Sequence, residues 1–380
     1  MQGNIEQALL LRTLQSKSTH DTTIYIDPTI NWDLFYKYIL RHRVWHQVHN
    51  ALLPLNIQNK TMLALTKKCQ QDKHRILMMA RETVRIARAF SAKSIKHCFV
   101  KGTLLNMHLY GGLITRPCND IDVWVDNTTY SNAIEALTSL GYQKKHPTYL
   151  LEGFKKEYYL RHHHDIAFYH PTHHVLVELH FRLSYFAMEF FPLSSTPLQP
   201  IQLMNTPILA PDDDYHLLYL MLHGAIHGWI RLRWLQDIAL FIEQKRCDLD
   251  RIMALASELH CEHIVEQSLL LAKHFFNVKI PLTQPSLRSQ QLVRLAQQFI
   301  AADYEMTDGI KNPILFFKYR FYLGKLAVRH LKVSAVLNDL FKIDYLFPYI
   351  TFPKNFSFMY YVCYPLWVIR YVMKHVFSFR

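Results

Sequence analysis

The chain has 380 residues, of which 50% are hydrophobic and 19% charged. This balance is typical of an ordinary folded protein with a sizeable core and two or three domains, and it excludes a disordered chain. Lys and Arg exceed Asp and Glu by 43 to 30, and residues 311–380 alone hold 11 Lys or Arg against 2 Asp. The positive charge is therefore concentrated at the C-terminus, where it favours phosphate-bearing partners or an anionic membrane surface.

The cysteines and the apolar runs predict a cytoplasmic protein. Six cysteines are scattered without any CxxC pair, which argues against a zinc ribbon and against a disulfide framework. The N-terminus lacks the basic and apolar regions of a signal peptide. The longest apolar run, residues 358–369, is too short to cross a bilayer and contains Pro365. It either stays in solution or lies on a membrane surface.

The predicted elements begin with helices. Apolar residues recur at intervals of three and four through residues 1–93, as in "HRILMMARETVRIARAF", and Gly and Pro are few. Residues 94–205 have the pattern of a small α/β unit with a mixed sheet. "HCFVKG" and "IDVWV" read as short strands, and "SNAIEALTSLGY" as an amphipathic helix closed by Gly141. "EYYLRHHHDIAFYH" and "HHVLVELHFRL" read as a strand pair that turns at Pro171.

The helical period returns through residues 206–380. The acidic triplet Asp212 to Asp214 is placed to cap the first of these helices. Further helices are predicted at about residues 248–276, 285–302 and 313–340. The predicted fold class is therefore α+β, a small mixed-sheet core between two helical regions.

Two aspartates in "RPCNDIDVWVD" carry the first chemical signal. Asp120 and Asp122 are two residues apart on a predicted strand, so their side chains point to the same side. Adjacent carboxylates repel each other unless a cation lies between them, and Mg²⁺ prefers oxygen ligands shared with phosphates. The alternative is a pair of solvent-facing aspartates at the end of a strand.

Two further motifs accompany the aspartates. In "FVKGTLLNMHLYGG" an apolar stretch ends at Lys101, and Gly102 and Thr103 begin a helix whose free N–H groups attract phosphate. In "VLVELHFRL" Glu178 lies mid-strand between apolar neighbours, where a carboxylate must be paired, hydrogen-bonded or bound to metal.

These motifs, in this order, resemble the nucleotidyltransferase superfamily, which has the DNA polymerase beta-like fold. The chain is most similar to a bacterial branch with the signature "KG..L....Y.....R...DID..V" followed by "VELH", and the resemblance extends from about Phe99 to Ile242. One departure is Thr103, where the superfamily more often has serine or glycine; the hydroxyl is retained.

The resemblance implies a set of roles. Asp120, Asp122 and Glu178 would be catalytic and would hold two Mg²⁺ ions, with Mn²⁺ as an alternative, and Gly102 and Thr103 would contact the phosphates of a nucleoside triphosphate. Lys101 and Arg116 fit the signature and would pair with the triphosphate. For Arg116 an ion pair with a core carboxylate is an equal alternative.

The histidines allow more than one interpretation. The resemblance implies that the segment holding His223, His227 and Arg231 lines the nucleotide cleft. Without the resemblance, the segment is an amphipathic helix with buried histidines. Trp229 and Trp234 either stack on a base or, as is more common for aromatic residues of a helix, belong to the core. His162 and His164 on one strand face suggest zinc, but nothing completes a ligand set, so a polar rim near an acceptor pocket is preferred. His180 is expected either to orient Glu178 or to contact substrate.

The function predicted from these residues is Mg²⁺-dependent transfer of a nucleoside monophosphate from a triphosphate to an unidentified hydroxyl or phosphate acceptor. The alternatives are a non-catalytic nucleotide- or RNA-binding protein and a membrane-surface partner in envelope biosynthesis. The basic, aromatic tail, residues 354–380 above all, is accounted for by nucleic-acid binding, by peripheral membrane contact, or by a helical cap whose basic side chains reach solvent.

Overall fold

The structure is a computed structural model of the chain. It describes residues 4–15, 24–185, 188–281, 284–302, 313–327 and 342–376. The helices are α1 (Ile5–Gln15), α2 (Trp32–His42), α3 (Trp45–Leu52), α4 (Lys60–Ala92), α5 (Gly102–Tyr110), α6 (Tyr130–Ser139), α7 (Gly153–His162), α8 (Asp213–Ile226), α9 (Leu232–Glu243), α10 (Leu249–Glu258), α11 (Glu262–Phe276), α12 (Leu287–Ala301), α13 (Pro313–Leu326) and α14 (Met359–Val376). The strands are β1 (His97–Phe99), β2 (Ile121–Val125), β3 (Gln143–His146), β4 (Asp165–His170), β5 (Val175–His180), β6 (Ser184–Tyr185), β7 (Met188–Glu189), β8 (Leu198–Leu203) and β9 (Thr206–Pro211).

A five-stranded mixed sheet forms the centre of the fold. Its strand order is β1-β2-β5-β4-β3, in which β2 and β5 are parallel and the other neighbours antiparallel. Every residue of β2 is buried, whereas the burial of β4 alternates along the strand. Strand β2 is therefore covered on both faces, and a charged residue in it needs a partner inside the protein.

Helix α4, with 33 residues, connects two hydrophobic cores. Its first turns contribute Met62 and Leu65 to a core shared with α1–α3, α8, α9 and α11. Its later turns contribute Ile76 and Phe90 to a second core around the sheet. The helical flanks therefore pack directly against the sheet unit. The predicted domain boundaries, after residues 93 and 205, stay predictions.

The C-terminal helices confirm one local prediction in detail. The Asp212 carboxylate accepts a hydrogen bond from the Tyr215 backbone N–H, so it caps α8 as the acidic triplet predicts. The predicted helix at 248–276 is two helices, α10 and α11, because the chain turns at His260, whose φ is +54°. Part of the helix predicted at 313–340 is α13; residues 328–340 lie outside the described residues.

Two other predictions need correction. Residues 157–162, predicted as the start of a strand, form the end of α7, and the strand β4 begins only at Asp165. His162 and His164 therefore do not share a strand face. The segment from His223 to Arg231 is not one helix either, since α8 ends at Ile226 and Gly228 and Trp229 both have positive φ. The chain turns there before α9 begins.

Candidate active site

The parallel pairing of β2 with β5 brings the predicted acidic residues together. Asp122 lies opposite Glu178 in the register, and His180 follows two residues later on the same side of β5. The side chains of Asp122 and His180 are each 1% exposed, whereas that of Glu178 is 32% exposed. The site therefore has a buried wall and one carboxylate that is open to solvent.

These three side chains converge on one point. The His180 Nε2 lies 3.2 Å from Asp122 Oδ1 and 3.7 Å from Glu178 Oε2. One ligand atom from each of the three residues lies within 4.8 Å of the others, and among the described residues this is the cluster that could hold a metal ion. The prediction that Glu178 approaches Asp122 is met by this geometry.

Asp120 stands just before β2, in a bend, and its side chain is partly buried. Burial and the neighbouring Asp122 charge raise the pKa of Asp120, while Lys101, Arg233 and Arg43 act in the opposite direction. Asp120 therefore belongs to the same electrostatic cluster, although it is outside the group of three that offers converging ligand atoms.

Lys101 compensates the charge of Asp122 in this structure. Its ammonium group lies 2.7 Å from Asp122 Oδ1. Burial alone would raise the pKa of Asp122, but Lys101 and the hydrogen bond from His180 outweigh it and hold that pKa well below its usual range. By contrast, burial and the Asp122 charge raise the pKa of Glu178 to about 7. The sequence predicts a contact of Lys101 with the triphosphate alone, whereas in this structure Lys101 pairs with Asp122.

The predicted phosphate turn lies directly beside the aspartates. Gly102 has φ +65°, and a Cβ at this position would come within 3.3 Å of the Asp120 carbonyl oxygen, so the turn requires glycine. Helix α5 begins there, and no side chain caps its first turn. The Thr103 side chain is 3% exposed, with its hydroxyl 3.5 Å from that of Thr83, so a phosphate contact at this residue would come from its backbone N–H.

Several arginines act electrostatically on residues of the site. Arg43 and Arg233 both act on the pKa of Asp120. Arg231, a predicted nucleotide ligand, acts with Lys101 and Arg233 on His227, whose pKa burial and these charges lower to about 4. Arg231 is thus close to His227, and its role as a nucleotide ligand stays a prediction. Arg43 was not predicted; it comes from the end of α2, far away in sequence, and no local pattern marks it.

The two predicted histidines of this segment lie next to the same cluster. Burial and the Lys101 charge lower the pKa of His223, and its ring centroid is 4.6 Å from that of His227. Both rings pack on Trp234, at 5.4 and 5.3 Å. Trp229 is fully buried, as its interpretation as a core residue predicts. These histidines are therefore neutral and form an aromatic wall beside the cations.

Arg116 forms the ion pair with a core carboxylate that was the alternative to a nucleotide contact. It is 2% exposed, and its Nε and Nη2 donate to the Asp237 carboxylate at 2.8 and 2.6 Å. Tyr110 donates to the same carboxylate at 2.7 Å. Because the Nε and Nη2 groups of Arg116 both donate to Asp237, Arg116 holds the loop before β2 against α9. This loop in turn positions the aspartates.

The histidine-rich segment between α7 and β4 contributes one ring to the site. His164 stacks on His180 with 5.6 Å between centroids, and burial lowers the pKa of His164 to about 3. His162 lies on α7 and packs on Tyr158 instead. Within the part of the chain that the structure describes, these histidines do not form a zinc ligand set.

The donor set fits a hard divalent cation. Asp122 Oδ2 is buried, and none of the described residues donates a hydrogen bond to it. A buried carboxylate oxygen without a donor is costly, and a metal ion would satisfy it. Two carboxylates of different strands with an adjacent imidazole are compatible with Mg²⁺ or Mn²⁺.

A cavity of about 530 Å³ lies outside the carboxylate cluster. It is lined by Tyr110, Gln236 and Glu243 among others. None of the residues predicted for catalysis or nucleotide binding lines it. The carboxylate cluster is therefore defined by its chemistry and not by the size of a cavity.

Two of three comparisons with known proteins found a match. The chain resembles the solution structure of the antibiotic-resistance factor ANT(2'')-Ia, with a TM-score of 0.35 and 11% identity, over 53% of this chain and 98% of the other. Among curated proteins, none matches the chain. A family described as "Uncharacterised nucleotidyltransferase" matches residues 28–277, which include every residue of the candidate site. Since the match covers more than half of its length, the chain belongs to this nucleotidyltransferase family.

Proposed function

We propose that the protein transfers a nucleoside monophosphate from a nucleoside triphosphate to a hydroxyl or phosphate acceptor, with divalent-metal dependence and release of pyrophosphate. The observation that carries the proposal is the parallel register of Asp122 with Glu178, beside the uncapped N-terminus of α5. Carboxylates that bind metal ions next to a phosphate-binding turn are what in-line transfer of a phosphorus group requires.

The metal-binding residues of the proposal are Asp120, Asp122 and Glu178. Asp122 is the proposed shared ligand because it lies opposite Glu178 in the register and has a buried oxygen to offer. When bound, Mg²⁺ or Mn²⁺ would supply charge stabilisation on the acceptor oxygen and on the leaving phosphates. His180 holds Asp122 in place through its hydrogen bond, which fixes the direction of the carboxylate.

The phosphate-binding residues of the proposal surround this acidic group. Gly102 and Thr103 offer backbone N–H groups, and Lys101 reaches the triphosphate once its ammonium leaves Asp122. Arg43 and Arg233 provide positive charge near Asp120, and Arg231 provides it near His227. A triphosphate between the aspartates and these cations satisfies both sets of charges.

The proposed reaction needs the acceptor oxygen and the α-phosphorus of the triphosphate to be held in line. The acceptor oxygen forms a bond to the α-phosphorus, and the bond from that phosphorus to the oxygen bridging it to the β-phosphorus breaks. Pyrophosphate leaves with the electron pair of the broken bond, and the proton of the acceptor is released to water. The side chains supply alignment and electrostatic stabilisation, the main contributions in such transfers.

The rival hypothesis is a binding protein that holds nucleotide or RNA without turnover. It does not require the carboxylates to converge, because binding of an anion is weakened by negative charge in the site. The convergence of Asp122 and Glu178 with His180, and the buried oxygen of Asp122, therefore favour catalysis.

The test follows label from the α-phosphate of each triphosphate into products, with Mg²⁺ or Mn²⁺ and a cell extract as the source of acceptors. The Asp120→Asn plus Asp122→Asn variant should remain folded and lose transfer by at least about a thousandfold. Asp126→Asn is the matched control. Asp126 directly follows the same strand, and its carboxylate accepts hydrogen bonds from the backbone N–H and the hydroxyl of Thr128. Equal labelling by the double variant and the wild type would exclude the site.

A further inference from the structure

The described part of the C-terminus carries an unusual share of exposed apolar side chains. Of the 21 large apolar residues that are exposed in the described structure, 12 lie in residues 313–327 and 342–376. They are Ile314, Phe316, Phe317, Phe321, Tyr345, Tyr349, Phe356, Phe358, Tyr361, Val362, Leu366 and Ile369. Single exposed apolar residues are normal, but such a concentration marks an interaction surface.

Helix α14 shows how this surface arises. One face is buried: Tyr360 is 1% exposed and stacks on Phe154 of α7, with 5.7 Å between ring centroids. A second stripe recurs at intervals of four, four and three residues, and its side chains are more than half exposed; it consists of Phe358, which directly precedes the helix, and Val362, Leu366 and Ile369. We call these four residues the α14 stripe. The helix is thus anchored on the sheet unit by one face and presents a second apolar face outward.

The charge around the α14 stripe is positive. Residues 342–376 contain four basic residues and one acidic residue, Asp344. The basic residues are Lys342, Lys354, Arg370 and Lys374, and Lys354 also pairs with Glu157 of α7 at 3.4 Å. Lys354 lies four residues before the first residue of the α14 stripe, and Arg370 directly follows the last one. Apolar side chains flanked by Lys and Arg are typical of helices that lie in the interface of an anionic bilayer.

The chemistry of the exposed side chains favours a membrane over two other partners, nucleic acid and a second copy of the chain. Valine, leucine and isoleucine have no flat ring for a base to stack on, so the α14 stripe adds little to nucleic-acid binding. A second copy of the chain would bring like charges together on a basic surface. The structure also shows no helix among its described residues with the length and apolarity to cross a bilayer, so α14 would lie along the membrane surface.

We infer that the α14 stripe is a peripheral docking surface for a membrane rich in anionic phospholipid, which holds the proposed transferase at the bilayer. The apolar side chains enter the boundary between headgroups and acyl chains, and the flanking basic residues contact lipid phosphates. Because α14 packs on α7 of the sheet unit, docking would bring that unit to the membrane as well. Residues 377–380 of the predicted tail lie outside the described residues.

The experiment is co-flotation of the full chain with vesicles of phosphatidylcholine alone and of phosphatidylcholine with phosphatidylglycerol. The wild type should float with the anionic vesicles and less well as salt is raised. The Val362→Ser, Leu366→Ser, Ile369→Ser variant should lose at least about tenfold in vesicle partitioning while keeping nucleotidyl transfer. Leu63→Ser is the matched control, since Leu63 is 73% exposed on α4, outside this surface. It should float like the wild type.

Several outcomes would overturn the inference. Absence of wild-type flotation with anionic vesicles would do so, and so would equal flotation of the triple variant and the wild type. A wild-type dimer in analytical ultracentrifugation that the triple variant dissociates would assign the α14 stripe to a second copy. Binding of single-stranded RNA that the triple variant abolishes would assign it to nucleic acid. None of these depends on the transfer reaction, so a failure here is distinct from a failure of the proposed function.

Discussion

Replacing Lys101 by methionine should make divalent metal bind more tightly to the protein without nucleotide. In the structure the Lys101 ammonium lies 2.7 Å from Asp122 Oδ1, with 14% of the lysine side chain exposed. A metal ion that binds Asp122 must compete with this ammonium for the same carboxylate. Methionine keeps the length of the side chain and removes the competing charge.

The magnitude follows from the contact that the metal displaces. A hydrogen bond between an ammonium and a carboxylate in a largely buried site is worth about 1.5–3 kcal/mol. Since 1.4 kcal/mol is a factor of ten in a binding constant, Mn²⁺ affinity should rise by roughly ten- to a hundredfold. Triphosphate affinity in the presence of metal should fall, because the variant lacks a cation next to the phosphates.

The assay is electron paramagnetic resonance of Mn²⁺, which separates free from bound ion, followed by nucleotide titration at saturating Mn²⁺. Lys96→Met is the matched control: Lys96 precedes β1, is exposed, and donates to the Ser194 carbonyl at 3.3 Å. It should leave both affinities unchanged. If Lys101→Met binds Mn²⁺ with unchanged or weaker affinity, the ammonium does not compete for the metal position, and the assignment of Asp122 as the main metal ligand fails.

The remaining predictions concern stability. Asp72→Asn should lower the free energy of unfolding by about 2–4 kcal/mol in urea denaturation at pH 7, because the buried carboxylate accepts from His46 at 2.9 Å and also pairs with Arg75. Burial would raise the pKa of Asp72, but His46 and Arg75 outweigh burial and lower that pKa. This stabilisation is therefore present above about pH 4 and is lost as the pH falls further. The difference in the free energy of unfolding between variant and wild type should accordingly become smaller below about pH 4. Gly224→Ala should destabilise by about 1–3 kcal/mol or prevent folding, since a Cβ would overlap the buried Trp229 ring; Trp229→Leu in the alanine background should recover part of that loss.

The parts of the site that the sequence predicted are those determined by short-range rules. The sequence predicts Asp120 and Asp122 on one side of a strand; the structure places Asp122 in β2 and Asp120 in the bend before it, where the Asp122 charge still acts on the pKa of Asp120. The sequence also predicts a phosphate turn at Gly102, and the positive φ of Gly102 beside the Asp120 carbonyl requires glycine there. Glu178 is predicted to need a partner because its neighbours are apolar; its strand pairs with that of Asp122, and its side chain is 32% exposed. Each of these inferences uses residues close in sequence or a motif order that a family shares.

The parts that sequence reasoning missed depend on contacts between distant segments. Arg43 reaches the cluster from α2, some 80 residues before Asp120, so no local pattern could place it. The end of α7 was taken for a strand because "EYYLRHH" has aromatic and histidine residues that suit either structure, and its burial against Phe347 settles the choice. The turn at Trp229 was missed because a tryptophan at positive φ is rare.

The charges of the candidate site should couple the binding of the two proposed ligands, a divalent metal ion and a nucleoside triphosphate. The carboxylates Asp120, Asp122 and Glu178 lie among charges that act on their pKa values, and the cations Lys101, Arg43 and Arg233 are among these charges. In the proposed function, a divalent ion alone would meet these cations, and a triphosphate alone would bring about four negative charges next to the carboxylates. With both ligands bound, each would offset part of the charge of the other, and Lys101 would be released from Asp122 to the phosphates. Metal and nucleotide should therefore each strengthen the binding of the other by the same factor, as reciprocal coupling requires.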